Sequence, residues 1–142
     1  MAGTLTLRVI TPERVALDRS VASVRLPALD GSMGVLPRHA PMIAALDAGL
    51  LRYREQPGGP EHVLFVSGGF AEVRGETLRV VSEAGEKPAD IDLERAREAE
   101  KRARERLARR REEGGAPIDL VRAEAALRRA LARLSAREHV SS

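Results

Sequence analysis

Two rhythms of apolar and polar residues divide the chain. Through Thr4–Ile10, Leu5, Leu7 and Val9 alternate with Thr6 and Arg8, the two-residue period of a strand with one buried face. Val21–Leu26 alternates again, with Val24 and Leu26 on one side and Ser23 and Arg25 on the other. His62–Val66 is a short apolar run, which Gly68-Gly69 punctuates. Phe70–Val73 and Thr77–Val81 follow, with Arg74-Gly75-Glu76 as a tight hairpin turn between them. Asp30-Gly31 and Pro57-Gly58-Gly59-Pro60 are further turn signals. Short strands separated in this way predict an antiparallel β-sandwich or barrel.

After residue 85 the period lengthens. Asp90-Ile91-Asp92 sets carboxylates where they meet the positive end of a helix. Leu93, Ala96, Ala99, Ala103 and Leu107 then recur at three- and four-residue steps, a narrow apolar stripe on a charged helix. Gly114-Gly115 stops it and Pro117 opens a second helix, with Asp119 near its cap. Leu120, Ala123, Leu127, Leu131 and Leu134 form the second stripe. The chain is expected to hold an N-terminal antiparallel β-sandwich over residues 1–86. A C-terminal antiparallel two-helix hairpin is expected over residues 87–142. A seam of Ala and Leu buries little area, so the hairpin is expected to be marginal and capable of opening.

Composition sharpens this picture. Residues 1–85 are neutral, whereas the helical part carries fifteen basic and twelve acidic side chains and so the whole net charge of +3. Aromatic content of 2% leaves a core of Val, Leu, Ile and Ala and weakens any base-stacking role. Cysteine is absent, and His39, His62 and His139 have no metal-ligand spacing. No apolar run is long enough to span a bilayer. The opening MAGTLTLRV lacks the basic-then-apolar layout of a secretory leader, so a soluble protein kept in the cytoplasm is expected. No phosphate loop of the G-x-x-x-x-G-K-[ST] type and no nucleophile–base signature is found, so no catalytic role is expected.

Three segments, in order and in register with these elements, carry a family resemblance. Gly34-Val35-Leu36-Pro37-Arg38-His39-Ala40-Pro41 is similar to a G-hydrophobic-L/Y-P-x-H-A-P segment, and Gly68-Gly69-Phe70-Ala71-Glu72-Val73 to a second signature. Ile91-Asp92-Leu93-Glu94-Arg95-Ala96 is similar to an I/L-D-x-x-R-A nucleotide motif. Together the chain resembles the epsilon subunit of rotary, proton-translocating ATP synthases. The resemblance implies a central-stalk rotor subunit that couples the catalytic head to the membrane ring. It also implies inhibition of ATP hydrolysis through a mobile C-terminal hairpin. The implied partners are the gamma subunit, the membrane c-ring and the catalytic alpha and beta subunits. The implied location is the cytoplasmic face of the cell membrane, without insertion into it.

Site residues follow from the same resemblance. Asp30, Gly31, Ser32, Met33 and His39 match positions that meet the membrane ring. No cofactor is required, and ATP is implied as a regulatory ligand at Glu86, Ile91, Asp92, Arg95, Ala96, Arg102, Arg129 and Arg133. An extended hairpin would meet the beta subunit through Arg122, Arg128, Arg129 and Arg133. Plainer readings stand beside these. His39 packs a turn, Asp92 caps a helix, and Arg95 pairs with a nearby Glu. An Arg-rich helix also suits nucleic acid. Glu94, Glu98, Glu100 and Glu105 alternate with the arginines of the first helix, which favours intrahelical pairing and a protein partner over nucleic acid.

Overall fold

The computed structural model describes residues 3–112, Gly114 and residues 117–140. The chain divides after Lys87 into two compact units, a sheet unit and a helical unit. The sheet unit has eight strands: β1 (Leu5–Ile10), β2 (Val15–Val21), β3 (Ser23–Ala28), β4 (Gly31–Val35), β5 (Met42–Arg54), β6 (Glu61–Arg74), β7 (Thr77–Val81) and β8 (Gly85–Glu86). The hydrogen-bonded order is β2-β1-β7-β6-β5-β3-β4, with β8 added on β6. Every pair is antiparallel except β1 with β7, which runs parallel.

One continuous ladder makes two layers because β5 and β6 belong to both. Residues 42–46 of β5 pair with 69–73 of β6, and this end extends through β7 and β1 to β2. Residues 48–54 pair with 61–67, and that end carries β3, β4 and β8. Leu5, Leu7 and Val9 of β1 share one buried cluster with Val24 and Leu26 of β3 and Val35 of β4. Strands at opposite ends of the ladder can share a core only if the sheet folds over on itself.

The fold-over is where sequence and structure part. Gly68-Gly69 was expected to separate two strands, but β6 runs straight through them. Both glycines take positive φ, 111° and 99°, which bends the strand without ending it. A Cβ on Gly69 would stand 1.9 Å from the Val81 carbonyl oxygen, so β7 approaches bare backbone here. Beyond β7 the chain crosses between layers, and two serines satisfy the backbone it exposes. The Ser67 N–H donates to Ser82 Oγ at 3.1 Å, and the Ala84 N–H donates to Ser67 Oγ at 2.9 Å. Ser82 is buried, and these bonds offset its desolvation.

The helical unit begins with a 3-10 turn at Pro88–Asp90, followed by α1 (Leu93–Glu112) and α2 (Pro117–Arg137). Asp92 is the N-cap of α1. Its Oδ1 accepts the Arg95 N–H at 3.1 Å, and its carbonyl accepts the Ala96 N–H at 3.0 Å. Gly114 has φ 66°, the left-handed conformation that stops a helix. Gly115, the other expected stop residue, lies outside the described residues. Arg110 and Asp119 pair across the turn at 3.8 Å. The seam is built on alanine: Ala96 and Ala103 of α1 face Ala123 and Ala130 of α2, all buried. Leu107 joins them, whereas Leu131, expected in the stripe, is 40% exposed. Small residues at the centre let the helices approach closely and leave the longer leucines at the flanks. No described helix is long and apolar enough to cross a membrane.

Candidate functional site

Three surfaces hold the candidate residues. The first is the tip of the β3–β4 hairpin. Ala28 pairs with Gly31, so Leu29 and Asp30 form a two-residue turn, and Gly31 supplies φ 128°. Asp30, Gly31 and Ser32 are exposed. Arg25 Nη1 donates to Ser32 Oγ at 3.3 Å, which fixes that hydroxyl beside a cation. Met33 turns inward and packs partly buried against the core. His39 belongs to a different turn, in which its N–H donates to the Leu36 carbonyl at 3.1 Å. Its Nδ1 lies 2.7 Å from the Ala40 carbonyl, and Arg38 beside it takes φ 67°. The turn-packing role of His39 is therefore present in the structure.

The second surface is one side of the helical hairpin. With about 100° per residue, Arg95 and Arg102 stand roughly 100–120° from the Ala96–Ala103 line. Arg129 and Arg133 stand roughly 80–120° from the Ala123–Ala130 line in the same rotational sense. Antiparallel pairing carries equal senses to the same side, so the four arginines share one flank of the hairpin. Arg102 lies 3.9 Å from Glu98, a solvent-exposed i,i+4 pair. Among the described residues Arg95 and Arg129 make no ion pair, so the expected Arg95–Glu pairing is absent. Ile91 and Ala96 are buried and Asp92 is taken up with capping. Glu86 lies in β8 of the sheet unit, opposite Phe65. Arg122 falls on the same stripe as Arg129 and Arg133, within about 40°, whereas Arg128 points roughly 120° away.

The third surface was not foreseen. A row of apolar side chains crosses the outer face of the first layer, one from each strand. Register alone defines it: Ala45 is opposite Phe70, Phe70 opposite Val81, Val81 opposite Ile10, and Ile10 opposite Val15. Ile43 flanks the row two residues from Ala45. Ile43 is 73% exposed, Val15 54% and Phe70 44%. Apart from β5, which adds Ile43 to Ala45, each strand contributes a single outward apolar residue among polar ones such as Arg8, Glu72 and Arg79, so no local pattern announces the row. The weak signal was Ile10 and Val81 standing where alternation calls for polar residues.

Among the described residues no group of His, Asp and Glu has the spacing to hold a metal. Tyr53 has its phenol pKa raised above the usual value by burial, with Arg19 opposing and Glu55 reinforcing the shift. Its ring stacks on His62 at a centroid distance of 5.1 Å.

Comparison with known proteins places both units. Residues 4–88 match the ATP synthase delta/epsilon chain beta-sandwich domain, and residues 89–138 the delta/epsilon chain long alpha-helix domain. The chain is similar to the ATP synthase epsilon chain of Carboxydothermus hydrogenoformans, with 48% identity over 78% of this chain and 81% of the relative. It is also similar to that of Moorella thermoacetica, with 47% identity over 76% of this chain and 80% of the relative. The fold matches a chain in the cryo-EM structure of the Euglena gracilis mitochondrial ATP synthase (OSCP, F1 and c-ring) with a TM-score of 0.77. That match has 24% identity and covers 96% of this chain and 82% of the other. The alternating strands, the bent sheet and the alanine-seamed hairpin thus belong together as one known pair of domains: the chain is a member of the ATP synthase delta/epsilon family, and its curated relatives are epsilon chains.

Proposed function

We propose that the chain is a non-catalytic central-stalk subunit whose sandwich docks on the gamma subunit through the apolar row Val15, Ile10, Val81, Phe70 and Ala45, with Ile43 beside it. This row is the observation that carries the reading. Contiguous exposed apolar surface is unfavourable in water and marks a protein contact. The row also spans five strands of a stiff sheet, which suits a contact that carries load. The exposed turn at Asp30, Gly31 and Ser32, with the part-exposed Met33 and His39, is the face offered to the membrane c-ring. The chain then sits peripherally on the cytoplasmic face of the membrane, and the reaction belongs to the alpha and beta subunits.

The hairpin is the regulatory element. Closed, it offers Arg95, Arg102, Arg129 and Arg133 to the triphosphate of ATP through charge-assisted hydrogen bonds. ATP that binds only the closed form adds about 2.7 kcal/mol at roughly 100 times its Kd. Extended, it turns Arg122, Arg129 and Arg133 toward an acidic surface of the beta subunit, with Arg128 on a separate face, and obstructs rotation in the hydrolysis direction. The shared use of Arg129 and Arg133 makes nucleotide binding and inhibition mutually exclusive.

The test is association with the gamma subunit. The double variant Ile43→Glu/Phe70→Glu should weaken it by about thirtyfold or more, with circular dichroism unchanged. Wild-type association would overturn the docking assignment. A calorimetric titration with ATP, repeated on Arg133→Ala, tests the nucleotide role separately. Heat that the substitution diminishes supports it, and no heat at millimolar ATP removes the nucleotide site.

A further inference from the structure

On the side of α1 away from Arg95 and Arg102 the hairpin is hollow. Leu93 and Arg97 of α1, with Leu134 and Arg137 of α2 and the adjoining Glu138, line a groove of about 530 Å³ at the open end of the two helices. Leu93 and Arg97 stand roughly 60–100° from the Ala96 line in the sense opposite to Arg95 and Arg102. On α2, Leu134 and Arg137 lie within about 40° of the Ala123–Ala130 line, so the groove reaches the seam itself one turn beyond Arg133.

The charges here are unspent. The side chains of Arg97, Arg137 and Glu138 have no ion-pair or hydrogen-bond partner among the described residues. The Nε of Arg137 is shut off from solvent and meets no acceptor among the described residues. A buried N–H on a charged group without an acceptor is costly, and native structures seldom leave one so. An acceptor supplied from outside would relieve it.

We propose that this groove binds a small monocarboxylate bearing a short hydrocarbon chain. The guanidinium fork matches a planar carboxylate, which accepts from Nε–H and a terminal N–H together. The walls formed by Leu93 and Leu134 suit a hydrocarbon body and not a strongly hydrated ion. Two arginines against one Glu138 carboxylate leave a single positive charge, which balances a monoanion and disfavours a phosphate dianion. Both helices contribute residues, so the site exists only while they are paired, and its ligand stabilises the closed hairpin. The inference assumes nothing about ATP binding.

The experiment uses the full chain, labelled for NMR at arginine Nε–H and leucine methyl groups, titrated with pentanoate, acetate and inorganic phosphate. Pentanoate should shift the Arg137 Nε–H and the Leu134 methyls saturably, with a Kd on the order of 1 mM. Acetate, which lacks the hydrocarbon body, should bind severalfold more weakly. Arg137→Gln should weaken the methyl response by at least about tenfold and Arg97→Gln by less, with helical circular dichroism retained. Arg102→Gln, on the opposite side of α1, should leave it unchanged. The proposal is overturned if pentanoate moves neither probe at tens of millimolar, or if phosphate moves them as strongly as pentanoate. Binding that survives Arg137→Gln in a folded hairpin overturns it too.

Discussion

Replacing Gly69 with alanine adds a single methyl group, yet it should destabilise this protein about as much as a core truncation. The new Cβ would lie 1.9 Å from the Val81 carbonyl oxygen, 2.9 Å from the Val81 carbonyl carbon and 3.0 Å from the Ser82 Cα. All three are backbone atoms, so no side chain can rotate away, and β7 must move by well over an ångström to reach contact distance. That movement strains the Phe70–Val81 pairing and the Ser67–Ser82 bonds just beyond it. The φ of 99° adds strain of about 1–2 kcal/mol for any L-residue, and forcing a packed element aside adds about 1–3 kcal/mol. A loss of about 2–5 kcal/mol is expected. Gly75 is the control: its φ is 61° and its Cβ would meet nothing within 4 Å, so Gly75→Ala should lose only about 1–2 kcal/mol. Tyr53 is the one tyrosine and there is no tryptophan, so intrinsic fluorescence in a urea titration reports the sheet unit alone. If Gly69→Ala lowers stability no more than Gly75→Ala, the close approach of β7 is not what the glycine serves.

Three other outcomes are expected. Tyr53, whose phenol burial holds above its ordinary pKa, makes no pH-dependent contribution below pH 10, because folded and unfolded chains are both protonated there. Above it the unfolded chain releases the proton first, so stability falls until the folded value is passed. The urea midpoint of Tyr53→Phe, followed by circular dichroism from about pH 9 to 11, should lack this component of the decline. Asp92→Ala removes the cap of α1 and should destabilise the hairpin by about 1 kcal/mol in a thermal melt at 222 nm, with Asp92→Ser restoring most of it. Ala123→Leu forces a large side chain into the seam and should cost about 1–3 kcal/mol. Leu131→Ala, on an exposed position, should change stability by less than about 1 kcal/mol. Equal losses for those two would mean that the helices do not meet along the alanines.

Alternation made β1, β3 and β7 legible, because each has one buried face along its whole length. β5 escaped because its thirteen residues serve two layers and include Ala44, Ala45, Asp47, Ala48 and Gly49, which do not favour strands. Gly68-Gly69 was legible as a pair that serves positive φ or close strand approach, but not as a bend within one strand, because glycine is equally able to end a strand or bend one and only the partner strands decide. The hairpin and its seam of alanine and leucine were legible, but Leu131 was placed in that seam and is exposed. Bulk suggests a core position, whereas close-packed helices place the smallest residues at the centre. Asp92 was visible both as a cap and as a nucleotide residue, and its bond to the Arg95 N–H establishes the first role. The arginine quartet was readable from spacing along each helix. The apolar row was not, since it lies across strands that are far apart in sequence and exists only once the register is known.

The passage of β5 and β6 through both layers has a mechanical side. In a sandwich made of two separate sheets, a sideways push on one face is resisted only by the slip of greasy surfaces. Here the same push must stretch two continuous peptide chains, and bond lengths yield far less than packing does. Twisting one layer against the other likewise loads covalent backbone and the hydrogen bonds of the longest ladder in the molecule, twelve paired positions between Met42 and Arg54. The sheet unit should therefore respond to torque as a rigid block, with little elastic lag between its two faces.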